Sequence, residues 1–250
     1  MPNRKPRLLF FLRVLVLAAA LSSPVLIEGA YSTTVSFSGY VWQVKTSKGR
    51  VGPGPNYFSD GAGNVWVDAQ GRLHLTIRKT KNRWDCAEVV SNSSFGYGTY
   101  RWYLDTPVDN LDRNVVLGLF TWNDAADYNH REVDFEASRW GNAADPTNAQ
   151  YVVQPYDVAG NLVRFSIPSG LTQTTHAFTW RSTSVAALSL KGSQATPATP
   201  SDVLYQHTFT AGIPVAGGEN ARANLWLYQG RAPSNGQSVE IVIKKFEFVP

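Results

Sequence analysis

The chain carries a series of short runs rich in β-branched and aromatic residues, and nowhere a long stretch with a 3.6-residue apolar period. Leu73-His74-Leu75-Thr76-Ile77 and Val239-Glu240-Ile241-Val242-Ile243 alternate apolar and polar residues cleanly, as half-buried strands do. Similar runs are Asn64–Asp68, Cys86–Ser91, Gly98–Asp105, Asn114–Trp122, Arg131–Arg139, Gln150–Tyr156, Val163–Ile167, His176–Arg181, Ala186–Leu190, Val203–His207 and Ala223–Tyr228. Asp68-Ala69-Gln70-Gly71 fits a hairpin turn between two of them. Many strands at this spacing without helices predict an all-β fold, a two-sheet antiparallel β-sandwich or jelly roll. At 250 residues, such a sandwich fits one domain.

The first 30 residues read differently. Arg4, Lys5 and Arg7 precede an apolar run from Leu8 to Leu21, interrupted by Arg13 and followed by small residues. That pattern predicts a secretory signal peptide over 1–30, with one domain over 31–250. The leader holds four of the 23 basic and one of the 19 acidic residues, so the remainder has a net charge of +1. No basic stripe is left to engage nucleic acid, and once the leader is removed nothing engages a membrane. A monomeric, exported protein is expected, extracellular or periplasmic. Cys86 is the only cysteine, so the core must hold without an intrachain disulfide, and its apolar neighbours predict a buried small side chain. The four histidines are scattered, so no metal site is predicted.

Within Arg131–Arg139, Glu132, Asp134 and Glu136 alternate with Val133 and Phe135. In a strand these three carboxylates share one face. Like charges crowded on a strand repel, and acids are poor strand formers, so the pattern calls for a use. Glu132 and Glu136 sit roughly 13 Å apart at their Cα atoms by strand rise, and inward-leaning side chains bring the carboxyls to roughly 5–6 Å. That is close to the separation of a retaining glycosidase pair. The solvated face of an ordinary amphipathic strand shows the same alternation.

The surrounding segments resemble glycoside hydrolase family 16, the clan of lichenases, laminarinases and xyloglucan-modifying enzymes. Glu132-Val133-Asp134-Phe135-Glu136 matches the family's Glu-x-Asp-x-Glu signature without the extra residue of laminarinases. Ala87-Glu88 with Phe95-Gly96-Tyr97-Gly98-Thr99-Tyr100, Phe120-Thr121-Trp122, Gln150-Tyr151, His176-Ala177-Phe178-Thr179-Trp180 and Asn224-Leu225-Trp226 follow in family order. The resemblance implies a concanavalin-like jelly roll with a concave cleft. It makes Glu132 the nucleophile, Asp134 its assisting carboxylate and Glu136 the general acid/base, with negative neighbours keeping Glu136 protonated. It places Asn56, Glu88, Trp122, Gln150, Asn224 and Trp226 along the cleft, with Trp122 and Trp226 as stacking platforms, and Gln154 in place of a missing Asn.

The activity implied is that of a secreted retaining endo-β-glycosidase acting on a β-linked polysaccharide such as a β-1,3/1,4-glucan. The alternatives are a transglycosylase on a glucan such as xyloglucan, or a non-catalytic carbohydrate-binding module. No catalytic cofactor is expected. The resemblance allows a structural calcium whose ligands it does not assign. Val90 departs from the Arg that lichenases carry two residues after the Glu of Ala-Glu, which leaves the particular glycan open.

Overall fold

The computed structural model describes residues 30–250. The expected leader lies outside them, apart from Ala30, which opens the first strand. The strands in chain order are Ala30–Phe37 (β1), Tyr40–Thr46 (β2), Tyr57–Phe58 (β3), Val65–Val67 (β4), Leu73–Thr80 (β5), Arg83–Ser94 (β6), Gly98–Leu104 (β7) and Val115–Trp122 (β8). They continue with Val133–Ala137 (β9), Ala149–Val153 (β10), Leu162–Phe165 (β11), Thr174–Arg181 (β12), Ser184–Lys191 (β13), Val203–Phe209 (β14), Asn220–Leu227 (β15) and Val239–Val249 (β16).

Every predicted run holds a strand, so the all-β sandwich is what the chain forms. One layer has the order β1-β2-β6-β15-β8-β9-β10-β11, and the other β4-β5-β16-β7-β12-β13-β14. The hairpin of β5 and β6 joins them: β5 pairs with β16 through Leu73–Ile77 and with β6 through Arg78–Thr80. Among the described residues the ladders are antiparallel except for the short parallel pairing of β3 with β6.

The hairpin of β1 and β2 has no counterpart among the predicted runs. Its turn is Ser38-Gly39, both at positive φ (53° and 82°), which is what a two-residue primed turn requires. The predicted turn at Asp68 is present, with its amide donating to the Arg72 carbonyl (3.0 Å) and Gly71 at φ 77°.

Period-two alternation decides which side chains enter the core. Leu117 and Leu119 of β8, Val133 and Phe135 of β9, Ala223 and Leu225 of β15, and Ala87 and Val89 of β6 are all buried between the layers. Their alternates line the outer, concave side of the first sheet. Contacts across the interior fix the two layers: Phe135 stacks on His176 of β12 at 3.8 Å, and Trp42 of β2 meets Phe246 of β16 edge-on at 5.2 Å. The Tyr151 hydroxyl reaches the Ser189 hydroxyl at 2.8 Å. Burial holds the His176 imidazole neutral, its pKa lowered to about 3, between Thr174 and Ser189. Cys86 is buried, as expected, and burial raises its thiol pKa far above the usual range. Each large apolar side chain so buried contributes roughly 1.5–3 kcal/mol.

Candidate active site

Because Val133 and Phe135 point into the core, Glu132, Asp134 and Glu136 are forced onto the concave side. Neighbouring strands bring their own alternates beside them. Gly118 of β8 pairs with Glu136, Asn224 of β15 with Gly118, and Glu88 of β6 with Asn224. On the other side Gln150 of β10 pairs with Glu136, and Arg164 of β11 with Gln150. A row of side chains therefore crosses the sheet at right angles to its strands, ending at Lys45 of β2, whose ammonium lies 3.0 Å from Glu88. The next row holds Asp134, Phe120 and Arg222. Apart from Gln150 and Arg164, these residues, with Trp122, Asp124, Glu132, Trp226 and Tyr31, line a cleft of about 620 Å³.

Burial dominates the electrostatics of the three acids. The Glu132 carboxyl is pushed up to about 8, by desolvation first and the negative charge of Glu136 second. A hydrogen bond from Asp134 and the charge of Arg222 pull it the other way. Asp134 is raised well above the ordinary carboxyl range by burial, with Glu132 and Glu136 adding to it. The contact between the two lowers Glu132 and raises Asp134. Glu136 is pushed up to about 7 by burial, against the Gln150 hydrogen bond and the charge of Arg164. Like-charge repulsion was expected to keep Glu136 protonated; desolvation is the principal cause instead.

The expected sugar-contacting residues divide into two groups. Glu88, Trp122, Asn224 and Trp226 line the cleft, and the buried Asn224 Oδ1 has no partner. Asn224 fits there because Gly118 has no side chain: a Cβ on Gly118 would lie 2.5 Å from that oxygen. Asn56, Gln150 and Gln154 do not line the cavity. Asn56 donates its amide protons to the carbonyls of Pro53 (2.8 Å) and Leu227 (2.9 Å), tying a loop to the end of β15. Gln150 donates to Glu136 Oε2 (2.7 Å) while its oxygen accepts from Trp140 (3.1 Å) and Arg164 (2.8 Å). It holds the acid in place. Gln154 donates through its backbone to the Glu132 carbonyl (3.1 Å), and its side chain stabilises ionised Asp134.

Trp122 is not the free platform expected. His130 stacks on one face of the indole at 3.9 Å and 8°, and Asp124 accepts from its Nε1 at 3.0 Å. His130 belongs to a left-handed turn, Tyr128 to Arg131, with φ of 53°, 51°, 59° and 54°. Each such residue costs roughly 1–2 kcal/mol. The turn is held by the Arg131–Asp127 ion pair (2.6 Å), the bond from His130 Nδ1 to the Asn123 carbonyl (2.8 Å) and Thr121 donating to the Arg131 carbonyl (2.8 Å). The strained turn leads directly into Glu132, which fits the tendency of such strain to sit at functional sites.

Sequence reasoning missed Lys45, Arg164 and Arg222. A signal existed for Arg222: it has the same strand parity as Asn224 and Trp226, between two alanines. On the convex face, Asp68 and Glu240 converge, but His74 bridges them at 3.0 and 2.6 Å. Among the described residues no group of three or more His, Cys, Asp or Glu side chains is arranged to hold a metal ion, so no ligands are assigned to a calcium.

No family model matches the chain, and no curated protein matches it. Its fold matches solved structures. The Bacillus licheniformis beta-glucanase superposes with a TM-score of 0.62 at 20% identity, over 88% of this chain and 99% of that one. A prokaryotic beta-1,3-1,4-glucanase (lichenase) derived from a mouse hindgut metagenome gives 0.61 at 18%, over 87% and 98%. A beta-1,3-glucanase from Mycobacterium marinum gives 0.60 at 16%, over 88% and 99%. The chain has the jelly-roll fold of these structures over nearly their whole length.

Proposed function

We propose that this protein is a secreted retaining endo-β-glycosidase that hydrolyses a β-1,3/1,4-glucan through a glycosyl-enzyme intermediate. The observation that carries the reading is the placement of three carboxyls, Glu132, Asp134 and Glu136, on one strand face at the floor of the cleft, with Gln150 holding Glu136 at 2.7 Å. A close pair of carboxyls flanking one sugar bond, one acting as nucleophile and the other as proton donor, is what double displacement needs.

Glu132 attacks the anomeric carbon as Glu136 gives its proton to the departing oxygen. Glu136, now ionised, takes a proton from water, which attacks the same carbon and releases Glu132. Asp134 orients Glu132 and shares its charge. Gln150 fixes the Glu136 carboxyl, and Trp226 with Phe120 offers apolar surface to sugar faces. The β-glucanase names of the structures that share the fold support a β-glucan as substrate, as does the signature strand without an inserted residue.

The test scores reducing ends released from mixed-linkage glucan, laminarin, xyloglucan and agarose by the wild type and Glu132→Gln. Release from the mixed-linkage glucan, lost in the variant with folding and glucan binding kept, is expected. Turnover by the variant above a few per cent of wild type, or no release from any glycan by the wild type, overturns the reading.

A further inference from the structure

The cleft contains a guanidinium that the mechanism does not use. Arg222, on β15, is 5% exposed. Of its five N–H donors, Nη2 donates to Asp124 Oδ1 at 2.9 Å, while Nη1 stands 3.6 Å from Glu88 Oε1, too far for a hydrogen bond. The buried Nε has no partner at all. Buried donors are almost always bonded, and here only Asp124 and the Tyr31 hydroxyl engage the guanidinium, which leaves donors for an arriving acceptor. Its Cζ lies 5.9 Å from the centre of the Trp122 ring, on the cleft wall. The Asp124 that holds it is itself exposed, with 79% of its side-chain surface free, so the clamp can yield to a ligand.

The charges around it define the acceptor. Arg222 faces Glu88 from β6, Asp124 from the segment after β8, Glu132 beside β9 and Tyr31 from β1. Lys45 is bound to Glu88 at 3.0 Å. Arg222 and Lys45 thus balance Glu88 and Asp124, and an ionised Glu132 leaves this half of the cleft negative. An anionic sugar would be repelled. A planar guanidinium fork matches two acceptor oxygens side by side.

We propose that Arg222 is the specificity-determining residue of this half of the cleft, gripping two neighbouring hydroxyls of an uncharged sugar unit beyond the one attacked by Glu132. The position is noteworthy because Arg222 pairs across the ladder with Val90. At the paired position β6 presents an apolar side chain, so Arg222 is the polar group of that row on this side. This inference rests on the glycosidase reading.

The experiment is titration calorimetry with an uncharged mixed-linkage β-gluco-tetrasaccharide, in the Glu132→Gln background so that the ligand persists. Adding Arg222→Met should weaken binding about 10- to 100-fold, the range for hydrogen bonds to a charged group. Arg222→Lys keeps the charge and the folded state but not the fork, and should recover only a minor part. Removing the gripped hydroxyls from the ligand should weaken binding to the parent but not to the Met variant. Equal affinities for parent and Lys variant, or the same loss in the Met variant whichever hydroxyl is deleted, would overturn the role of Arg222. A glucuronate-containing tetrasaccharide binding more tightly than the uncharged one would overturn the substrate class. Failure of the Glu132→Gln parent to bind any glycan would instead refute the glycosidase reading on which this one stands.

Discussion

Replacing Glu136 with Gln should stabilise the protein in alkaline solution and leave it nearly unchanged in acid. Glu136 titrates at 4.5 in an open chain and at about 7 in the fold, where burial disfavours its charge. Below pH 4.5 the carboxyl is protonated in both states and contributes nothing. Between 4.5 and about 7 the unfolded chain releases its proton while the native state keeps it, so native stability falls as pH rises. Above 7 the full penalty is present. Two and a half pKa units correspond to about 3.4 kcal/mol as an upper limit. Water in the cleft reaches the carboxyl and screens it, so about 1–2 kcal/mol is the realistic size. Gln carries no such charge, and its amide oxygen still accepts from Gln150. In a domain of this length 1–2 kcal/mol is roughly 2–8 °C of melting temperature. Calorimetric melts of both proteins at pH 4 and pH 8.5 read it directly: the gap between variant and wild type should widen by that amount at the higher pH. A gap of equal size at both values would refute burial as the origin of the raised Glu136 pKa.

Other substitutions test the parts around it. Gln150→Met removes a contact that favours ionised Glu136, so the alkaline limb of kcat/KM should move to higher pH; a profile that stays in place contradicts the pairing. Gly118→Ala drives a methyl against the Asn224 oxygen 2.5 Å away, and should cost about 1–3 kcal/mol in denaturant titrations together with most of the glucan affinity. Phe135→Ala empties the space against His176 and should lower stability by about 3–5 kcal/mol in the same titrations. His130→Ala strips the stacked ring from Trp122. It should shift tryptophan fluorescence and weaken glucan binding several-fold, the loss of one aromatic contact of about 0.5–1.5 kcal/mol; an unchanged spectrum would show that the stack does not form in solution.

The placement of the candidate site's side chains was legible in the sequence where local periodicity carried the information. Glu132, Asp134 and Glu136 fall on one face because Val133 and Phe135 must be inside, and the same parity places Asn224 and Trp226 in the cleft. It was not legible where the deciding partner is far away in the chain. Asn56 is an ordinary polar residue until Leu227 closes on it from 171 positions away. The Lys45–Glu88 pair spans 43 positions and exists only through the β2–β6 ladder. Trp122 reads as an exposed platform because nothing in the local pattern shows His130 folding back onto it through four left-handed residues. The hairpin of β1 and β2 was legible in principle, since Ser38-Gly39 separates two alternating runs, but it lies close to the leader-like segment.

The row of side chains that crosses the sheet from Arg164 to Lys45 has a consequence for how such a protein can diversify. Each strand contributes a single position to it, and the backbone hydrogen bonds that set their spacing are indifferent to side-chain identity. On the proposed reading, bond-breaking sits on β9 and is steadied by β10 and β11, whereas the preference for one glycan over another is distributed among β15, β6, β2 and β1. A substitution on those last strands would then redirect the cleft toward a new polymer while Glu132 and Glu136 keep their geometry. Selectivity and reactivity are therefore separately adjustable, strand by strand.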